Sequence, residues 1–329
     1  MKHNSMCRTT VIACVSLLVA CAAHGADVPK SAFQRPLRII VPFAPGGGQD
    51  TGARLLAVKL TDITGQQVLV DNRPGGAGII AAETLLKAPA DAHTMYLAST
   101  SFVVTPSLRK TLPFDTVRDF APITRVSSAP GTLVVHASLP VSSVRELIRL
   151  ARAKPGQITF GSAGVASNSH LSGELFKMLT GVDIIHVPYK GSALASAALV
   201  SGEVAIGFSN YSATMPHVKA HRLKLLGVTT PKRSPFLPDA PTLAEAGIPG
   251  FENTIWNGVV VSAATPKAAV TTLHEAIARA LQSADLKERL AQEGATAFVN
   301  DTPADYAAFI RIEIDKWGKV VRQAGIKPE

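Results

Sequence analysis

No cysteine follows Cys21: the three in the chain are Cys7, Cys14 and Cys21. All fall in a leader-like N-terminal segment, so the body of the chain forms no disulfide, holds no thiol nucleophile and offers no cysteine pair to a metal. The chain also lacks a G-x-S-x-G nucleophile elbow, a G-x-x-x-x-G-K-[ST] phosphate loop and an H-E-x-x-H helix, the usual signatures of acyl transfer, nucleotide hydrolysis and zinc hydrolysis. Aromatic residues make up 5% of the sequence. The basic residues are scattered rather than interleaved with aromatics on one face, which argues against a nucleic-acid partner. Beyond the leader, no apolar run is long enough to span a membrane.

What is present at the N-terminus is an export signal. Lys2 and Arg8 precede the apolar run TTVIACVSLLVACAA (residues 9–23), and small residues continue to Ala26. This is the order of a secretory signal peptide over residues 1–26. Two endings compete. Cleavage after Ala23 or Ala26 suits a small-residue signal peptidase site, whereas Leu18-Val19-Ala20-Cys21 has the order of a lipoprotein signal in which Cys21 carries the lipid. Removing residues 1–26 leaves 303 residues, a size at which one core usually splits into two domains. Without Lys2 and Arg8, 33 basic residues become 31 against 24 acidic ones, a net charge of +7. That balance suits an anionic ligand or simply a solvated basic surface.

From residue 37 the chain alternates apolar strands with amphipathic helices: LRIIVPF (37–43), a helix over 50–63, QVLVDN (67–72), a helix over 79–86, and TMYLAST (94–100). Such alternation predicts βαβ units and a parallel sheet. The second half repeats it with ITFGSAG (158–164), NSHLSGELFKMLTG (168–181) and DIIHVPYKG (183–191). Between the halves run two extended, β-branched segments broken by Gly and Pro, FAPITRVSSAPGTLVVHAS (120–138) and FENTIWNGVVVSAA (251–264). They read as a two-stranded hinge between two α/β lobes, with residues 27–128 and 253–329 in one domain and 129–252 in the other. A ligand cleft between the lobes is expected.

The richest motif is VPFAPGGGQDTGAR (41–54), a strand that empties through Gly46, Gly47 and Gly48 into a helix. Glycines let a backbone approach a ligand closely, and the first helical N–H groups attract an anion. Asp50 reads as an N-cap or first-turn acid. GSAGVASNSH (161–170) is a second strand-to-helix turn, supplying Ser162, Ser167, Asn168 and Ser169 as polar or capping groups. Two helix N-termini facing each other would hold an anion without a buried lysine. HVPYKGS (186–192) adds Tyr189 and Lys190, and GFSN (207–210) adds Ser209 and Asn210. In NRPGGAG (72–78), Arg73 either steers an anion or pairs on the surface.

His217 and His221 have an i, i+4 spacing without a third ligand, so no metal is expected. His93, His136, His170 and His186 stand isolated in sequence. The rival to ligand capture is a Rossmann-like NAD(P)-dependent oxidoreductase: Gly46-x-Gly48-x-x-x-Gly52 follows a strand, with Asp71 at the end of the next. Its spacing is loose, Asp50 would face the pyrophosphate, and nicotinamide cofactors are not free outside the cytoplasm.

Nearly the whole chain after the leader resembles, in order, the periplasmic substrate-binding proteins of tripartite tricarboxylate transporters, the Bug receptors. The matching segments include VPFAPGGGQDTGAR, VDNRPGGAGIIAAE, DFAPITRV, FGSAGVASNSHLSGELFK, HVPYKGSALA, SGEVAIGFSN and KWGKVVRQAGIKPE. The resemblance implies a type II periplasmic-binding-protein fold that captures a small carboxylate by hinge closure. Delivery to the transporter's membrane subunits follows, with no chemistry, no cofactor and a monomeric receptor. It places ligand contacts on Pro45, Gly46, Gly47, Gly48 and Asp50, across the cleft on Ser162, Ala163, Gly164 and Ser167, and on Tyr189, Lys190 and Gly191. Ser209 stands where the family often has an acid. Its lack of charge leads to the expectation of a carboxylate ligand without an amine.

Overall fold

The computed structural model describes residues 33–326. The expected cleavage sites at Ala23 and Ala26 and the lipid site at Cys21 lie outside the described residues.

The first lobe opens with β1 (Leu37–Val41), α1 (Gly48–Thr64), β2 (Val68–Asn72), a 3-10 turn (Gly76–Gly78), α2 (Ile79–Leu86) and β3 (Thr94–Ala98). β1 lies between β2 and β3, parallel to both. Its side chains alternate as the pleat requires. Leu37, Ile39 and Val41 pack with Leu56 and Leu60 of α1, while Ile40 joins Ala82 and Tyr96 on the opposite face. Gly65 ends α1 in the left-handed region at φ +70 and donates its N–H to Thr61 O, as a C-cap glycine does.

TMYLAST departs from the predicted strand. The strand stops at Ala98, and TSFVVTPSL forms α3 (Thr100–Leu108). Thr and Val disfavour a helix locally, but seven of these nine residues are buried, and tertiary burial overrides the weak local preference.

The chain continues with β4 (Phe120–His136), α4 (Val144–Ala153), β5 (Thr159–Ser162), α5 (Asn168–Thr180), β6 (Ile185–Pro188) and α6 (Ser192–Ser201). It proceeds through β7 (Ile206–Asn210), α7 (Tyr211–Lys219), β8 (Leu223–Val228) and β9 (Thr254–Ser262). α8 (Lys267–Gln282), α9 (Ala284–Gln292), β10 (Thr296–Ala297) and α10 (Pro303–Gln323) follow.

β4 joins the lobes. From Phe120 to Pro130 it pairs antiparallel with β9, which continues the first-lobe sheet through β3. From Gly131 on it pairs with β7 and β8 of the second lobe, where β5 runs parallel to both β6 and β7. Pro122 supplies no N–H, and the register shifts beside it and beside Arg125 bend the strand. At the changeover Gly131 is sterically required: a Cβ there would lie 2.5 Å from Thr229 Oγ1. α8 and α9 cover the same sheet face as α1, and α10 covers the other, burying Tyr306 and Trp317.

Candidate functional site

The lobes enclose a cavity of about 120 Å³ whose lining draws on the N-termini of five helices. Gly47, Gly48, Gln49 and Asp50 come from α1, Ser99 and Thr100 from α3, and Ser167, Asn168 and Ser169 from α5. Gly191 and Ser192 come from α6, and Asn210 and Ser212 from α7. The N-caps of α1, α3, α6 and α7 make no side-chain capping hydrogen bond. An α-helix leaves its first N–H groups without intrahelical partners. Their partial positive charges therefore converge on one small space. Among the described residues the lining includes no Lys, Arg or His. The walls also include Phe43, Leu55, Phe208, Ile255, Trp256 and Leu290, apolar surface that suits the body of a small organic molecule.

The lobes touch across this space. Built on Gly47, a Cβ would lie 2.8 Å from Ser192 Oγ, and on Gly294 it would lie 2.4 Å from the Tyr211 ring. Asn168 donates from Nδ2 to Thr100 Oγ1 at 3.3 Å and to Asn253 Oδ1 at 2.8 Å. Asn253, almost fully buried, donates in turn to Ser172 Oγ at 2.7 Å.

Asp50 is a first-turn residue of α1 rather than its N-cap, which is Gly47. Its carboxylate reaches back to the Gly46 N–H at 3.0 Å and accepts from Arg54 Nε at 2.9 Å and Asn72 Nδ2 at 3.1 Å. Burial acts to raise its pKa, but the hydrogen bonds from Arg54, Gly46 and Asn72 outweigh that effect and leave it below the usual aspartate value. Asp50 thus holds the glycine loop in shape while its charge is balanced by Arg54.

Gly47, Gly48, Asp50, Ala163, Ser167, Gly191, Ser209 and Asn210 all lie in the lining. Pro45, Gly46, Ser162, Gly164, Tyr189 and Lys190 lie outside it. Pro45 is exposed, and the Gly46 amide is taken by Asp50. Ser162 Oγ contacts His186 Nε2 at 2.6 Å and accepts from the Gly164 N–H at 3.1 Å, so both residues build the loop from behind. Tyr189 turns its hydroxyl to Glu203 at 2.7 Å, and Lys190 is exposed. The Ala163 amide, although in the lining, donates to Ser169 Oγ at 2.9 Å.

His170 and His186 are not isolated: their rings stack at 4.2 Å, with Phe160 stacked on His186 at 4.9 Å. Burial pushes His170 down to about 3 and His186 to about 4, so both are neutral near pH 7 and His170 Nδ1 accepts from the Ala166 N–H at 3.3 Å. His217 lies in the last turn of α7, but His221 lies beyond the helix at φ +55, so the pair does not share a helix face. Arg73 pairs with Asp71 at 2.9 Å, outside the cavity, and Arg38 approaches the same carboxylate. The acid on which a ribose contact depends in the oxidoreductase reading is thus engaged by arginines.

The residue motifs missed Ser99 and Thr100, because the start of α3 reads as strand. They also missed Trp256, Asn257 and Glu293, which enter the lining from the return strand and the end of α9. Of these, Glu293 matters most for the charge of the site. The expectation of a ligand without an amine rested on the uncharged Ser209 alone, and the C-terminal segment places the carboxylate of Glu293 in the lining.

The model of the tripartite tricarboxylate transporter family receptor matches residues 53–326. A Rhodopseudomonas structure described as R. palustris Rpa4515 with adipate is 39% identical with a TM-score of 0.85, covering 90% of this chain and 99% of that one. The periplasmic binding protein BugD is 30% identical with a TM-score of 0.85, covering 90% and 100%. MatC from Rhodopseudomonas palustris with bound malate is 30% identical with a TM-score of 0.82, covering 88% and 99%. These relatives are binding receptors rather than enzymes, and they share the two-lobed fold. On the match over residues 53–326 and the agreement of the fold along nearly its whole described length, the chain belongs to the tripartite tricarboxylate transporter family of receptors.

Proposed function

We propose that this receptor captures a small organic acid outside the cytoplasm and presents it to the membrane subunits of a tripartite tricarboxylate-type transporter. The observation that carries this reading is the convergence of five helix N-termini on one cavity whose lining contains no cationic side chain. Backbone N–H groups stabilise a carboxylate without the large desolvation penalty of a buried ion pair, which suits a ligand that must later be released. Adipate in Rpa4515 and malate in MatC support a carboxylate as the ligand class.

Residues 27–128 and 253–329 act as one domain and 129–252 as the other, a division supported by the change of β4's partners between Pro130 and Gly131. Capture proceeds by hinge closure. The carboxylate docks on Gly47, Gly48 and their helix, and closure adds Ser167, Gly191, Ser209 and Asn210, so a fitting acid shifts the population toward the closed form. Export through the leader places the receptor in the periplasm as a monomer, either free after cleavage or held by a lipid on Cys21.

A thermal-shift screen with mono-, di- and tricarboxylates and nicotinamide cofactors tests the reading. A bound acid at a hundredfold its Kd stabilises the fold by about 2.7 kcal/mol, a rise of several degrees in Tm. Stabilisation by a nicotinamide cofactor and by no acid would refute it.

A further inference from the structure

The cavity has two chemically different ends. One is the start of α1, where Gly47 and Gly48 meet Ser192 and Asn210. The other lies further along the same helix. Gly52 and Leu55 are four and seven residues beyond Gly48, roughly 6 and 10 Å at the helical rise, and both line the cavity. Gly52 faces Asn257: a Cβ on it would stand 4.0 Å from Asn257 Nδ2, an ordinary contact distance. Asn257 donates to Ser127 Oγ at 3.4 Å, and both residues belong to the lining. α9 packs against α1 through Leu286 and Leu290 and through the Lys59–Asp285 ion pair at 2.9 Å. It brings Leu290 and Glu293 into the wall of the same cavity.

Glu293 is an unusual residue for this position. It is the C-cap of α9, the end of a helix where exposed carbonyls disfavour a negative charge. Among the described residues no hydrogen bond or ion pair engages its carboxylate. The fold therefore gains nothing evident from an acid here, yet this acid is half-buried in the cavity lining, where the only other charged residue among those described, Asp50, is balanced by Arg54. The next residue, Gly294, is held under the Tyr211 ring of the opposite lobe, so lobe closure brings the second lobe down beside Glu293.

We propose that Glu293 is a specificity-determining residue: it selects an acid that has one carboxylate for the helix N-termini and a hydrogen-bond donor, hydroxyl or ammonium, at its other end. It thereby disfavours dicarboxylates of the same length. The inference rests on the carboxylate-capture reading. A second carboxylate would meet Glu293 with no lysine, arginine or histidine in the lining to offset it. A hydroxyl or ammonium would donate to Glu293, and an ammonium would also neutralise it.

Calorimetric titration of three matched sets tests this: succinate, 4-hydroxybutyrate and 4-aminobutyrate; adipate, 6-hydroxyhexanoate and 6-aminohexanoate; and terephthalate, 4-hydroxybenzoate and 4-aminobenzoate. In the set that fits the cavity, the wild-type protein should bind the donor-bearing acid about 10-fold or more tighter than the diacid, the scale of one like-charge contact in a partly buried site. In Glu293→Gln the preference should shrink toward parity, with the diacid binding tighter than it does to wild type and the Tm of the free protein nearly unchanged. A diacid that binds wild type as tightly as its donor-bearing counterpart, or a preference untouched by Glu293→Gln, would overturn the role of Glu293 while leaving carboxylate capture standing. Failure of all nine acids to bind would overturn the role of Glu293, and carboxylate capture falls with it only if the wider acid screen also finds no ligand.

Discussion

A methyl group on Gly48 would stand 2.3 Å from Nδ2 of Asn210, on the opposite side of the cleft. Gly48 is the first residue of α1 and Asn210 the N-cap of α7, so the contact sets one helix N-terminus against another. The glycine here serves close approach and not backbone strain, since Gly48 is absent from the positive-φ positions, unlike Gly46 at φ +85.

Gly48→Ala is therefore expected to leave the free protein as stable as wild type or slightly more so, because alanine is the better helix former. Acid binding should weaken by about 10-fold as Asn210 is forced aside during closure. Combining Gly48→Ala with Asn210→Ala should cost less than the sum of the two single changes, a coupling read from a double-mutant cycle by calorimetry. Strict additivity would show that the two residues do not meet in the liganded protein.

Asp50→Asn tests what shapes the glycine loop. Removing the charge that accepts from Gly46, Arg54 and Asn72 is expected to lower stability at pH 7 by about 1–2 kcal/mol, the scale of hydrogen bonds to a charged group. The folded carboxyl titrates below its unfolded value. Its contribution is thus complete above the ordinary aspartate range and is lost as pH falls through the folded value. Urea unfolding midpoints of wild type and variant should differ at neutral pH and converge in acid.

The stacked imidazoles of His170 and His186 predict a second pH dependence. Folded values of about 3 and about 4 lie below the unfolded histidine value, near 6.5. Between these limits the unfolded chain binds protons that the folded protein refuses, so stability is full above the unfolded value and declines as pH falls toward about 4. A His170→Asn variant, which keeps an acceptor for the Ala166 N–H, should show a shallower decline of Tm over that interval. An unchanged slope would mean that other groups govern acid unfolding.

Local features were legible in the sequence to different depths. The glycine-to-helix junction at Gly47 and Gly48 could be read because it depends on residues within one turn of each other, and so could the helix over 79–86. The orientation of Tyr189 was illegible for the opposite reason. Its place beside a glycine turn says nothing about where its ring points, and the hydroxyl reaches Glu203, fourteen residues on. α3 was concealed because its β-branched residues resemble strand until the surrounding core buries them.

By itself the sequence determined the alternation of strands and helices, the glycine turns at their junctions and the two extended segments that cross between lobes. Each of these follows from backbone preferences and side-chain periodicity acting over a few residues. Tertiary structure alone decided that the starts of α1, α3, α5, α6 and α7 face one cavity, that Asp50 spends its charge on the loop, and that Glu293 joins the wall. Those outcomes depend on the register of β4 with β7 and β9 and on how the lobes close, which bring together residues from 43 to 295 that no local pattern relates.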